Sequence, residues 1–215
     1  MNLHKANGFT RHEILTAIKL NGAMTADLLG KELGISPVAV RQHLASLEAE
    51  GLVATSIERR SVGRPVHRYT ITQRGDETFP RHYDSLANAL LDELRASEGE
   101  DAVERLFARR RERLVAALRM RMEGKSLDER VEELAQIQTE AGFMAECAED
   151  DEGYVLIEHN CAACAVAKAH RAVCRQEMAM FQDLLGDEAE IERTTHIASG
   201  DFTCTYRIRQ KAGKK

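Results

Sequence analysis

Apolar residues recur at three- and four-residue spacing through three consecutive N-terminal segments, each closed by a stop signal. From Thr10 to Leu20 they are Ile14, Leu15 and Ile18, with Thr10 as N-cap and Asn21-Gly22 as the stop. The next segment, MTADLLGKELG, offers Thr25 as N-cap, Leu28, Leu29 and Leu33 as the apolar face, and Gly34 as a left-handed terminus. In ISPVAVRQHLASLEAEGLV, Ser36 caps, Pro37 takes the first helical position, and Val40, Leu44 and Leu47 form the stripe. Beyond Gly51 the period shortens to two, and LVATSIERR and HRYTIT alternate as strands around the turn SVGRPV. Three helices and a hairpin predict a winged helix-turn-helix whose third helix reads DNA.

From Gln73 to Cys147 the pattern is helical, in LANALLDELRA, EDAVERLFARRRERLVAALRMRM and SLDERVEELAQIQTEAGFMAEC. Val103, Leu106, Phe107, Leu114 and Leu118 make one stripe of the middle helix. Arg109, Arg110, Arg111 and Arg113 crowd its other surface, where pairing with Glu104, Glu112 and acidic neighbours is the expectation ahead of ligand contact. Cys147, at the end of this helical run, is expected to be a core or spare thiol. After Gly153, GYVLIEHN reads as a strand, AVAKAHRAVCRQEMAMFQDLLG as helix, and AEIERTTHI and FTCTYRIR as two further strands. The fold class is α+β, with a winged helix-turn-helix at residues 1–75, long helices serving as linker and dimerisation element at 76–150, and a small α/β cysteine-bearing domain at 151–215.

Charge is divided along the chain. Residues 1–75 hold ten Lys and Arg against six Asp and Glu, while the whole chain of 215 residues carries −5, so the remainder is acidic. That division suits a protein touching a polyanion with one end, because phosphate contacts supply most non-specific DNA affinity. No leader-like segment opens the chain and no apolar run approaches the roughly 20 residues of a membrane span, so a soluble cytoplasmic protein is expected. In a reducing compartment the five cysteines, Cys147, Cys161, Cys164, Cys174 and Cys204, point to a metal, cofactor or redox role before a disulfide framework.

With Val40, Leu44 and Leu47 facing a core, Arg41 and Gln42 project near the start of the third helix. Arg bridges guanine and Gln bridges adenine in the major groove. His43 either donates to a phosphate or packs beside Leu47. On the hairpin, Arg59, Arg60, Arg64 and Arg68 form a basic cluster, with Arg64 between Gly63 and Pro65 at the tip, suited to a minor-groove or phosphate contact. An arginine run alone is ordinarily a solvated surface; its place on a wing makes DNA contact the stronger expectation. The candidate DNA-contacting residues are Ser36, Arg41, Gln42, His43, Arg60 and Arg64. The register of LLGKELGIS, VRQHLASLEAEGLV and GRPVHRY resembles the winged-helix repressors of the ArsR/DeoR-like group over the first third of the chain. The resemblance implies a homodimer on a pseudopalindromic operator in double-stranded DNA.

In the C-terminal region Cys161 stands in EHNC, Cys174 follows after twelve intervening residues, and Cys204 lies in the final strand. These positions, with the LLG, ER and HI signals between them, resemble the sensor domain of SufR-type regulators, which repress iron–sulfur assembly genes and carry a cluster on cysteines. The resemblance implies an iron–sulfur cluster, 4Fe–4S before 2Fe–2S, on Cys161, Cys174 and Cys204. The family pattern has a further cysteine between the second and the last, whereas this chain has Cys164, in Cys161-Ala-Ala-Cys164. For the fourth ligand Cys164 comes first, with a carboxylate, His159 or His170 behind it.

Helix geometry limits the choice: on one unbroken helix, Cys164 and Cys174 stand roughly 15 Å apart. Either the helix breaks near Lys168–Arg171, where no Gly or Pro marks a break, or these two do not share a metal. His196 and Tyr206 read as packing residues, with His196 able to lie near the site. Rival readings are inert buried cysteines, a zinc-holding or thiol-oxidising regulator, and a disulfide-exchange enzyme on the CAAC segment. The element order is not thioredoxin-like, and no phosphate-binding glycine loop, metalloprotease motif or nucleophile elbow appears. The expectation is a non-enzymatic, DNA-binding transcription regulator whose operator affinity is set by its cluster.

Overall fold

The computed structural model describes residues 7–59 and 65–211. The chain divides into two compact units, Met1–Arg81 and His82–Lys215.

The first unit runs α1 (Asn7–Asn21), α2 (Ala26–Leu33), α3 (Pro37–Ala49), β1 (Val53–Glu58), β2 (Val66–Ile71) and the single turn α4 (Gln73–Asp76). Helix α1 starts a turn before Thr10, which therefore lies within the helix and does not cap it. Strands β1 and β2 pair antiparallel from Val53↔Ile71 to Glu58↔Val66. Met24 adds a short bridge to Tyr69, each N–H donating to the other's carbonyl. The predicted stripes converge on one core, in which Ile14, Ile18, Leu29, Val40, Leu44 and Leu47 are fully buried. Leu28 is the exception: it is exposed and does not join the apolar face of α2. Gly30 permits the tight approach of α2 to the turn before α3, since a Cβ there would stand 2.8 Å from the Ile35 carbonyl oxygen.

The second unit contains α5 (Tyr83–Glu98), α6 (Glu100–Met122), α7 (Leu127–Glu140), β3 (Ala145–Asp150), β4 (Gly153–Glu158), α8 (Cys164–Ala169), α9 (Ala172–Leu185), β5 (Ala189–Thr195) and β6 (Cys204–Gln210). Its four strands form an antiparallel sheet in the order β3-β4-β6-β5. Two-residue alternation turns Leu156 and Glu158 of β4, and Cys204, Tyr206 and Ile208 of β6, inward. Val131, Leu134 and Ile137 of α7 and Phe181, Leu184 and Leu185 of α9 complete that core, and Leu114, Val115 and Leu118 of α6 pack against it. Phe181 meets Tyr206 edge to face at 4.9 Å between ring centroids.

Residues 82–150 and 151–215 thus share one core, while 76–81 belong to the first unit; β3 from the first stretch pairs with β4 from the second. Helix α7 ends at Glu140, and Gly142 adopts a positive φ of 91°, so the chain turns and Cys147 lies in a strand opposite Leu156, where a helix was expected. Leu106 is exposed, leaving Val103 and Phe107 to face α5 and α9. Glu104 pairs with Arg175 and Gln176 of α9 and Arg111 with Asp183, because α6 lies along α9 and offers its charges across that contact. Among the described residues, no helix is long and apolar enough to cross a membrane.

Candidate DNA-contacting face and thiol cluster

The helix-turn-helix is assembled by local hydrogen bonds. Thr25 Oγ1 accepts from the Leu28 N–H at 3.2 Å, Gly34 turns the chain at φ 67°, and Ser36 Oγ accepts from the Ala39 N–H at 3.1 Å. The Ser36 hydroxyl is therefore engaged as a cap. With one stripe of α3 buried, Val38, Arg41, Gln42 and Ala45 occupy the exposed face, and His43 is half-buried. The Arg41 guanidinium donates to Asp27 Oδ1 at 3.1 Å, and both side chains are more than half exposed. An exposed pair of this kind is worth at most about 1 kcal/mol, so a phosphate or a base edge competes for Arg41 at little cost. Arg41 also lines, with Thr25, Asp27, His67 and Tyr69, an open cleft of about 610 Å³ beside the hairpin.

The basic hairpin cluster changes in one respect. Arg68 pairs with Glu58 and donates to the Ala23 carbonyl at 3.1 Å, tying the base of the hairpin to the loop before α2. Arg59 is exposed. Arg60 and Arg64 lie outside the described residues.

The second site sits at one end of the four-stranded sheet. The register Glu158↔Cys204 and Thr195↔Thr205 brings the end of β4, the end of β5 and the start of β6 side by side. Cys161 follows β4 by three residues, and Cys174 stands in the first turn of α9. Cys174, Ala167 and Ala198 form a small buried cluster on which Cys161 packs. Of the two alternatives that helix geometry left open, the structure has the break: α8 ends at Ala169, His170 is extended at φ −127°, ψ 94°, and α9 starts at Ala172. The break occurs with neither Gly nor Pro, at the buried His170. Among the described residues neither of its ring nitrogens has a hydrogen-bond partner, and Asp92 stands 3.7 Å from Nε2.

Hydrogen-bond donors and an imidazole face the sulfurs. The Ile197 N–H donates to Cys204 Sγ at 3.4 Å, and His196 Nε2 lies 3.2 Å from Cys174 Sγ. Burial pushes the Cys161 thiol up to about 12 and the Cys204 thiol up to about 11, and raises Cys174 as well. Burial, with Arg193 and Arg171 nearby, lowers His196 and keeps its imidazole neutral. Cys164 is half-exposed at the start of α8 and close enough to Cys161 to disfavour its ionisation. His159 is turned to Glu146 at 2.8 Å, so neither it nor His170 faces the thiols.

Among the described residues, no three His, Cys, Asp or Glu side chains form a group already able to hold a metal ion. Cys161, Cys164, Cys174 and Cys204 are thus gathered at one end of the sheet without being a finished cage; Cys161, Cys174 and Cys204, whose thiols burial pushes up, pack as apolar groups. Their chemistry nevertheless fits a soft metal group. Arg193 acts electrostatically on Cys174, Cys204, Glu158 and Glu177, and its Nη1 is buried with no hydrogen-bond partner. Arg193 thus sets positive charge beside the thiols, the sign that favours metal-bound thiolates.

Sequence reasoning missed the polar network behind the thiols. Gln138 donates to Glu158 Oε1 at 2.6 Å, and the Tyr206 hydroxyl donates to Glu177 Oε2 at 3.2 Å. Burial and mutual repulsion raise the Glu158 carboxyl, and burial raises Glu177. The one available signal was a Glu on the inward-facing register of β4, two residues after Leu156.

Residues 10–54 match a family model described as winged helix-turn-helix DNA-binding, and the N-terminal unit is a domain of that kind. Over 66 residues, 30% of this chain, the sequence is 36% identical to the probable C4-dicarboxylate response regulator DctR of Bacillus subtilis strain 168. The matched stretch spans 29% of that relative's length. A mutant of Lactococcus lactis ZitR aligns at 19% identity over 53% of this chain and 79% of its own, with a TM-score of 0.28. Bacillus subtilis PadR in complex with operator DNA aligns at 14% identity over 82% of this chain and 98% of its own, with a TM-score of 0.30. At these scores neither establishes a shared overall architecture.

Proposed function

We propose that the chain is a transcription regulator. Its winged helix binds an operator through Ser36, Arg41, Gln42, His43, Arg60 and Arg64, and Cys161, Cys174 and Cys204 hold an iron–sulfur cluster whose presence sets operator affinity. The protein works as a homodimer on a two-fold operator in the cytoplasm. The observation that carries the sensing half is the gathering of three cysteines, from a loop, a helix start and a strand start, at one end of a sheet beside the positive charge of Arg193.

When bound, the cluster supplies a centre that responds to iron supply and oxidants. The chain's own groups do the rest. Arg41 leaves Asp27 for a guanine edge or a phosphate, Gln42 reads adenine, and Ser36 keeps the start of α3 capped where it meets the duplex. The Ile197 N–H and Arg193 stabilise negative charge on the sulfurs once their protons leave. Coupling between the two sites is expected at about 1–3 kcal/mol, roughly a 5- to 150-fold difference in operator affinity.

Anaerobic purification tests this reading: iron, sulfide and visible absorbance that is lost in air support it, and a colourless protein without either element under strict anoxia overturns it. The nearness of Cys164 to Cys161 favours one alternative, a regulator that senses by zinc or by thiol oxidation. Metal analysis separates the two, since only the alternative gives zinc, or a metal-free disulfide, in the protein that binds the operator.

A further inference from the structure

We infer that His196 is the fourth donor of the thiol site and that it shares one metal ion with Cys174. This rests on the cluster reading above and names a ligand set for it: Cys161, Cys174, Cys204 and His196.

The turn after β5 is built around the thiols. His196 Nε2 stands 3.2 Å from Cys174 Sγ, and the next backbone N–H, of Ile197, donates to Cys204 Sγ at 3.4 Å. One dipeptide therefore touches two of the three cysteines. The turn is held from within: the His196 N–H donates to Asp201 Oδ2 at 2.7 Å, the Ser199 N–H donates to the His196 carbonyl at 2.9 Å, and Gly200 closes it at φ 113°. His196 Nδ1 meets Ser199 Oγ at 2.9 Å. A metal-binding imidazole is ordinarily held this way, with its second nitrogen hydrogen-bonded so that the ring orientation and the free lone pair are set. With Nδ1–H donating to Ser199, the Nε2 lone pair faces Cys174.

Distance adds a second argument. A thiolate sulfur and an imidazole nitrogen on one tetrahedral metal stand about 3.5 Å apart, given bond lengths of about 2.3 and 2.0 Å. The pair here is at 3.2 Å, so the metal takes the place of the thiol proton with only a small displacement. A four-iron cube takes one protein donor per iron, whereas a two-iron cluster takes two donors on each. The shared position of Cys174 and His196 thus selects the two-iron form, in place of the four-iron form expected from the sequence. Cys164 has no comparable setting: it is partly buried, and the contacts made by the turn after β5 go to Cys174 and Cys204.

The test uses the full chain, reconstituted anaerobically with iron and sulfide, with histidine enriched in the heavy nitrogen isotope in one preparation and unlabelled in another. Pulsed electron paramagnetic resonance of the reduced protein should show a histidine nitrogen coupled to the cluster and shifted by the label. Mössbauer spectra should show a pair of inequivalent irons. His196→Ala should remove the coupling and lower metal retention against a chelator by about 10-fold or more. His196→Cys should keep a cluster but lose the nitrogen signal, and Cys164→Ser should keep both. A loaded protein with no histidine coupling, a coupling that survives His196→Ala, or a four-iron spectrum overturns the assignment while leaving the cluster reading intact. A protein that takes up neither iron nor sulfide overturns both.

Discussion

The contact face of α3 and the thiol pocket differ in how their residues are brought together and in what holds them in waiting. Arg41 and Gln42 are adjacent on one helix, and the cap at Ser36 and the stripe of Val40, Leu44 and Leu47 fix which way they point. Cys161, Cys174, His196 and Cys204 come from a loop, a helix, a turn and a strand, and only strand register and helix packing unite them. Arg41 waits in water, paired weakly with Asp27, and any polyanion competes for it. The thiols wait buried and neutral, so only a ligand strong enough to displace their protons recruits them. One site is therefore expected to answer to salt and DNA sequence, the other to metal supply.

Breaking the thiol site should have the largest effect. Cys174→Ser is expected to reduce anaerobically retained iron and sulfide to background while far-ultraviolet circular dichroism and non-specific DNA binding stay as in the parent; retention of the full complement would separate Cys174 from the site. Leu44→Ala, which empties a fully buried position under the contact face, should destabilise the first unit by about 2–5 kcal/mol in urea denaturation. Its iron content should be unchanged, because the two units have separate cores. Arg41→Ala should weaken specific operator binding by about 1–3 kcal/mol and flatten its salt dependence. Equal slopes for the two proteins would show that Arg41 neutralises no phosphate.

A smaller effect is expected behind the thiols. Glu158 is raised by burial, so the folded state keeps a proton that the unfolded chain gives up above the ordinary carboxylate range. Stability contributed in this way is complete below that range and is lost as pH rises. Glu158→Gln should therefore lose less stability than the parent between about pH 5 and about pH 8, as urea midpoints will register. A parent whose midpoint rises over that interval would contradict the assignment of a protonated buried pair. The smallest effect belongs to Cys147→Ser: the residue is on the edge strand β3, opposite Leu156, and iron retention should not move.

The same contrast explains what was legible in the sequence. Caps, glycines and stripe spacing are short-range signals, so α2, α3 and the hairpin could be read within a few residues of their bounds. The break at His170 was one of two outcomes that helix geometry left open, and no Gly or Pro marks it locally. Cys147 was assigned to a helix because the pattern of α7 runs on in composition past Gly142, where the chain in fact turns into β3. Glu177 carried no signal of its own, and His196 read only as a packing residue able to lie near the site. Their roles follow from the register of β5 on β6 and from the packing of α9 on the sheet, which involve residues far apart in the chain.

The most direct measurement is operator affinity on one anaerobic preparation, split into cluster-loaded and chelator-stripped halves, against a duplex that the protein itself selects from a random-sequence pool. A difference of roughly 5-fold or more between the halves, abolished by Cys174→Ser, is the expected result. Equal affinities for loaded and stripped protein would contradict the coupling on which the proposed function depends.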